Sequence, residues 1–122
     1  MASTRILLVE DNLDHAQLAL RALRDLGTCD VVRRGAEGLA KAREAPYDLV
    51  VTDYRLPDMS GADVARGVRA VSDCPILVMT SEGREEVAAE ALAVPGVAFL
   101  AKDGQLARRL AYEARALLGG RA

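Results

Sequence analysis

Glu10-Asp11, Asp53, Thr80-Ser81 and Lys102 each stand at or just past the end of a short apolar run. Together they bring three carboxylates, two hydroxyls and an ammonium. Alone, an acidic pair after a strand reads as a solvated loop or a helix cap, and a lone lysine says less. Their joint placement is the signal. Carboxylates gathered at one point repel one another and call for a cation. Hard oxygen ligands with room for water suit Mg²⁺, which takes one or two carboxylates plus phosphate oxygens. A phosphoryl group arriving there meets a metal, a hydroxyl and an ammonium, which stabilise the charge spread over its oxygens. No GxxxxGK[ST] loop and no GxGxxG turn is present to bind a nucleotide. His15, early in the first helical pattern, reads as a surface residue, so no Ser-His pair is suggested. The residues can receive a phosphoryl group but show no means of binding ATP.

The elements that must position these groups follow from the apolar pattern. Strands are predicted over Arg5–Glu10, Cys29–Arg33, Leu49–Asp53, Ile76–Thr80 and Ala98–Ala101. Ile6-Leu7-Leu8-Val9 and Ile76-Leu77-Val78-Met79 are continuous apolar runs, the pattern of strands buried on both faces. Between the first two strands, Ala16, Ala19, Leu20 and Leu23 make one helical face, with Gln17, Arg21, Arg24 and Asp25 opposite. Asn12 or Asp14 can cap this helix, and Gly27 can end it. Further helices are predicted near 36–45, 61–71, 84–93 and 104–118. Gly38 and Gly67 weaken theirs by about 1 kcal/mol each relative to Ala. Pro46, Pro57, Pro75 and Pro95 fall between elements, where they interrupt no hydrogen-bond ladder. The alternation implies an α/β fold, a three-layer doubly wound parallel sheet with right-handed crossovers. Ligands of such sheets bind beyond the carboxyl ends of the strands, where the groups above lie.

The 122 residues suit one domain with one core, over residues 1–122, and no repeat or linker is visible. A net charge of −2 argues against broad nucleic-acid binding. No apolar run is long enough to span a bilayer and no signal peptide is visible, so the expectation is a cytoplasmic protein without membrane contact. Cys29 and Cys74 form no CxxC, and one histidine is too few for a zinc cluster, so both read as reduced thiols.

With these pieces in order, the sequence resembles a response-regulator receiver domain of two-component signalling, of the chemotaxis-regulator type. The resemblance rests on ILLVEDN at 6–12, DLVVTDYRLPDMSG at 48–61, ILVMTS at 76–81 and VAFLAKDG at 97–104. It implies a flavodoxin-like (βα)5 sheet of order 2-1-3-4-5. It also implies that Asp53 is the phosphoryl acceptor, forming an acyl phosphate. Glu10 and Asp11 would hold Mg²⁺, Asp11 directly and Glu10 directly or through water, with Asp53 and the Arg55 carbonyl as further ligands. Lys102 would pair with the phosphoryl oxygens. Thr80 would move to bond the phosphoryl group as Phe99 rotates inward. Pro57 and Gly61 would shape the loop after the acceptor. The strand order would also place Cys29 and Cys74 about 14 Å apart, too far for a disulfide.

The sequence departs from the family pattern at three positions. Asp103 stands where many receivers have a proline, often after a cis bond. Ser81 replaces a common alanine beside the phosphoryl position. Phe99 replaces a common tyrosine and has no hydroxyl for a readout. Arg55 and Glu82 stand two residues past Asp53 and Thr80. They either bridge the site mouth and tune phosphoryl lifetime, or are two solvated charges worth about 0–1 kcal/mol as a pair.

The resemblance implies phosphoryl transfer from a sensor histidine kinase or a histidine phosphotransfer protein, and a downstream effector protein as output. Glu85, Glu86 and Glu90 make helix four acidic; Arg108, Arg109 and Arg115 make helix five basic. These faces either pair two copies into a homodimer through helix 4, strand 5 and helix 5, or are ordinary solvated surfaces. No helix-turn-helix or output domain is apparent, so no direct nucleic-acid contact is expected. The chain is read as a stand-alone receiver or one excised from a longer protein. It is expected to be a phosphoacceptor signalling domain, not an enzyme beyond its own phosphorylation and dephosphorylation. The alternative is a receiver-like interaction module independent of phosphorylation. A small phosphatase on a similar sheet would need a second acid where Arg55 stands.

Overall fold

A computed structural model describes residues 3–81 and 85–119, and the side chains of these except those of residues 85–88. Strands and helices alternate throughout: β1 (Arg5–Val9), α1 (Leu13–Leu23), β2 (Thr28–Val32), α2 (Gly35–Glu44), β3 (Leu49–Asp53), α3 (Gly61–Arg69), β4 (Ile76–Thr80), α4 (Glu85–Leu92), β5 (Val97–Ala101) and α5 (Leu106–Gly119). The five strands are parallel in the order β2-β1-β3-β4-β5. The doubly wound flavodoxin-like fold expected from the sequence is the fold observed.

Apolar residues alternate between two cores. Ile6, Leu8, Leu49, Val51, Leu77 and Met79 face α1 and α5. Leu7, Val9, Val50, Ile76 and Val78 face α2, α3 and α4. Residues 6–9 and 76–79 are fully buried, as continuous apolar runs require. Each buried Leu, Ile or Val side chain stabilises the fold by about 1.5–3 kcal/mol relative to exposure. On α1, Ala16, Ala19 and Leu23 are buried and Gln17 and Arg21 are exposed, as are Arg24 and Asp25 just past its end.

Register sets the strand ends level. Val9 pairs with Thr52, so Glu10 follows β1 level with Asp53. Asp53 pairs with Met79, and Thr80 pairs with Ala101, one residue before Lys102. The observed β1 and β2 stop one residue earlier than predicted, leaving Glu10 and Arg33 just outside the sheet.

The structure differs from the sequence reading in how glycines act. Gly27 does not cap α1, which ends at Leu23 with Arg24 as its C-cap. Gly27 instead lies against Thr4, whose carbonyl oxygen would be 2.5 Å from a Cβ there. Gly38 and Gly67 sacrifice helix propensity for close packing. A Cβ on Gly38 would meet Val9 at 2.8 Å, and one on Gly67 would meet Leu39 at 2.4 Å.

Two polar clusters hold the amino-terminal side of the sheet. Tyr47 donates to Asp30 at 2.6 Å, and the Arg5 guanidinium lies 3.1 Å from the same carboxylate oxygen. The Arg69 guanidinium donates to the carbonyls of Pro95 (2.7 Å), Ser72 (2.8 Å) and Cys74 (2.8 Å). It thereby ties the loop before β4 to the loop before β5. Gly96, with φ +75°, supplies the left-handed turn beside it. Neither cysteine is in a disulfide.

Candidate functional site

Three strand ends converge on Lys102. Its Nζ lies 2.5 Å from Glu10 Oε1, 3.1 Å from Asp53 Oδ1 and 2.9 Å from His15 Nδ1. The Lys102 backbone N–H donates to the Thr80 carbonyl at 2.8 Å, which fixes the loop leaving β5 against the end of β4. The Glu10 side chain is fully buried, and its second oxygen accepts the Asn12 backbone N–H at 3.2 Å. Asn12 in turn caps α1 by accepting the His15 N–H at 3.0 Å, settling the choice between Asn12 and Asp14. One short turn therefore orients Glu10, starts α1 and places His15 over the lysine.

Glu10, Asp11 and Asp53 each offer an oxygen, all within 4.8 Å of one another. Burial pushes the Asp53 carboxyl above the usual carboxylate range, and the Glu10 charge pushes it the same way; Lys102 opposes both. Asp53 is thus held in a state where a further positive charge is favourable. Asp11 is half-buried at the open side of the cluster. Beside it, Asp11, Arg33, Arg34, Glu37 and Pro57 line a cavity of about 390 Å³.

The loop after Asp53 is pinned at several points. Gly61 N–H donates to the Tyr54 carbonyl at 2.6 Å, and Leu56 N–H to the Met59 carbonyl at 3.2 Å. A Cβ on Gly61 would sit 2.6 Å from the Asp53 carbonyl oxygen and 2.8 Å from Tyr54 Cα, so only glycine fits there. Ser60 and Asp63 form a reciprocal capping box on α3, with both bonds at 3.1 Å. Asp58 accepts the Gly35 and Ala36 N–H groups at 2.9 Å each. The N-terminus of α2 is therefore capped from the loop that follows Asp53, not by Arg34 at its own N-cap position.

Among the residues singled out from the sequence, Glu10, Asp11, Asp53 and Lys102 are brought together. Thr80 is buried at the end of β4, with Ser81 exposed just beyond it. Phe99 is half-buried and packs against the core on the α4 side. The Arg55 side chain is exposed, and its backbone bridges to Ser60. Glu82 lies outside the described residues, as do the side chains of Glu85 and Glu86. Glu90 is already engaged, accepting from the Tyr54 hydroxyl at 2.8 Å and lying 3.7 Å from Arg66. Asp103 follows Lys102 without a cis peptide, and no cis bond occurs among the described residues.

The sequence reading missed three participants. His15 is not merely a surface residue, because its ring nitrogen faces Lys102. Its spacing from Asn12, three residues past the cap and so in the first turn, was the available signal. Asp58 and Tyr54 act across the fold, and no local pattern reports such contacts.

The comparisons with known proteins bear on the family and the fold. The family model described as the response regulator receiver domain matches residues 6–112. The chain is 36% identical over 80 residues to Response regulator ArlR of Staphylococcus epidermidis, a match covering 65% of this chain and 36% of that protein. It is 33% identical over 99 residues to Transcriptional regulatory protein ZraR of Salmonella typhimurium, covering 80% of this chain and 22% of that one. The match thus spans about a third or less of these relatives' lengths. Among solved structures, Vibrio cholerae chemotaxis protein CheY4 is similar with a TM-score of 0.84 and 28% identity, covering 95% of this chain and 99% of that one. A CheY-like receiver domain protein from Methanospirillum hungatei shares the fold with a TM-score of 0.89 and 22% identity, covering 98% and 97% of the two chains. With its strand order, its acidic strand ends and its matched length, this chain belongs to the response regulator receiver domain family of two-component systems.

Proposed function

We propose that the chain is a phosphoryl-accepting switch, with Asp53 as the acceptor. The observation that carries this reading is the convergence of Glu10, Asp11, Asp53 and Lys102 at adjacent strand ends. An Asp53 carboxylate oxygen attacks the phosphorus of a phosphohistidine on a sensor kinase or a histidine phosphotransfer protein. The P–N bond breaks, the donor imidazole leaves with the electron pair, and an acyl phosphate forms on Asp53. The strand end holds the attacking oxygen at a fixed point, so little ordering remains for the encounter. One Lys102 N–H turns its hydrogen bond from Asp53 to a phosphoryl oxygen as charge develops there, and the ammonium keeps its proton. Thr80 closes on the phosphoryl group, and Phe99 fills the space this opens.

The donor set fits Mg²⁺: three carboxylates, without sulfur or nitrogen, within one ion's reach. Glu10, Asp11 and Asp53 would hold it together with the Arg55 carbonyl. When bound, it neutralises charge between the acceptor and the incoming phosphoryl oxygens. Arg55 and Ser81 border the site and, together with Glu82 two residues past Thr80 in the sequence, set how readily water reaches the acyl phosphate.

Residues 1–122 are read as a single receiver unit acting in the cytoplasm. Its output is a docking surface for an effector protein, with a homodimer through α4, β5 and α5 as one form of it.

The test is intact mass after incubation with acetyl phosphate, with and without Mg²⁺, for wild type and Asp53→Asn. One Mg²⁺-dependent phosphoryl adduct, absent from the variant, is expected. A folded wild type with Mg²⁺ and no adduct would overturn the reading in favour of an interaction module independent of phosphorylation.

A further inference from the structure

We infer that His15 is a positioning residue for Lys102: its Nδ1 accepts one of the three ammonium N–H bonds and holds the lysine at the acceptor site. The inference rests on the phosphoryl-accepting role proposed above.

An ammonium has three donors and no acceptor. Lys102 Nζ has three neighbours able to accept: Glu10 Oε1, Asp53 Oδ1 and His15 Nδ1. Its side chain is 7% exposed, so little water reaches it. The three acceptors differ in kind. Glu10 is fully buried and anchored by the Asn12 N–H, so it cannot follow the lysine. Asp53 is the group that changes during reaction. His15 is 45% exposed and stands on the solvent side, between Lys102 and bulk water.

This arrangement assigns separate tasks. When a phosphoryl group arrives on Asp53, the N–H directed at Asp53 Oδ1 is the one released to a phosphoryl oxygen. The other two N–H bonds keep Nζ in place while the third changes partner. Without His15, water takes the third position, and the flexible four-carbon stem loses one of its two fixed restraints. A nitrogen that accepts from an ammonium carries no proton, so the ring is the neutral Nε2–H tautomer. The α1 cap holds the ring there: Asn12 accepts the His15 backbone N–H, and Glu10 accepts the Asn12 backbone N–H. Glu10 is thus tied to Lys102 directly and to His15 through the turn.

The experiment compares wild type, His15→Ala and His15→Asn in the presence of Mg²⁺, with acetyl phosphate as donor and folding checked by circular dichroism. An Asn Oδ1 can stand where Nδ1 stands and accept the same proton. The expected result is a roughly tenfold fall in the maximal rate of Asp53 adduct formation for His15→Ala, with the half-saturating acetyl phosphate concentration unchanged. His15→Asn recovers most of that rate. Independently of phosphorylation, the ¹⁵N ring shifts of His15 at about pH 8 report a ring held wholly as the Nε2–H tautomer in wild type, and Lys102→Met returns it to the mixed Nε2–H and Nδ1–H population of a free neutral imidazole.

A wild-type rate in His15→Ala, or a His15→Asn rate as low as that of His15→Ala, overturns the positioning role. So does an Nδ1–H tautomer in wild type. A wild type that forms no adduct overturns both the phosphoryl-accepting reading and the role built on it. A wild type that forms the adduct while His15→Ala keeps its rate removes the role of His15 alone.

Discussion

Tyr54 and Glu90 join the residue after Asp53 to α4: the phenol hydroxyl donates to the carboxylate at 2.8 Å. Tyr54 is anchored on its other side by its backbone N–H, which donates to the Met79 carbonyl at 2.7 Å. Glu90 lies partly in solvent, so the bond contributes less than about 1 kcal/mol to stability. Its effect is local. Tyr54→Phe should leave the melting temperature nearly unchanged and speed amide exchange at Ala91 and Leu92. Unchanged exchange in that helix would show that the bond does not restrain α4.

Gly61 has no room for a side chain. A Cβ would press on the Asp53 carbonyl and Tyr54 Cα, which are backbone and cannot turn aside. Gly61→Ala should cost about 1–3 kcal/mol, read from urea unfolding, and should slow phosphoryl uptake on Asp53 by displacing the loop. Wild-type stability with wild-type uptake would mean that the loop relaxes freely.

The Asp53 carboxyl is raised first by burial and then by Glu10, against the pull of Lys102. Its charge therefore opposes folding at neutral pH when no cation is bound. Asp53→Asn in EDTA should melt at a higher temperature than wild type, and added Mg²⁺ should narrow the difference by stabilising wild type alone. A lower melting temperature for the variant would place the Lys102 pairing above the burial cost.

Tyr47 is pushed up to about 12, by burial first and then by the Asp30 carboxylate that accepts its hydrogen bond. Folding therefore favours the protonated phenol. This contribution is fully present below about pH 10, the ordinary tyrosine value, and is lost as pH rises through about 12. Absorbance at high pH should show one of the three tyrosines ionising late, and Tyr47→Phe should remove that phase. The variant should also lose about 1 kcal/mol at neutral pH and show a flatter stability profile across the same alkaline range.

The parts of the fold legible in the sequence were those written as local pattern. The apolar runs at 6–9 and 76–79 required strands covered on both faces, and the alternation with amphipathic helices left few ways to arrange them. The cluster of Glu10, Asp11, Asp53 and Lys102 followed once the strand ends shared an edge, because parallel strands put all their carboxyl ends on one side. What stayed hidden was set by distance through space. Asp58 caps a helix 22 and 23 residues earlier in the chain. Tyr54 reaches Glu90 across 36 residues. His15 meets Lys102 across 87. Gly27 misled because glycine after a helix is a common stop signal, whereas here its small size admits the Thr4 carbonyl.

The Arg69 bonds to Ser72, Cys74 and Pro95 have a mechanical consequence. They clasp the chain where β4 and β5 begin, at the edge opposite Asp53. The carboxyl end of α4 runs into that clasp through Pro95 and Gly96. The carboxyl tip of α4 is therefore moored by the same guanidinium that joins the starts of β4 and β5, so one side chain of α3 acts as the common hinge-pin for three neighbouring elements.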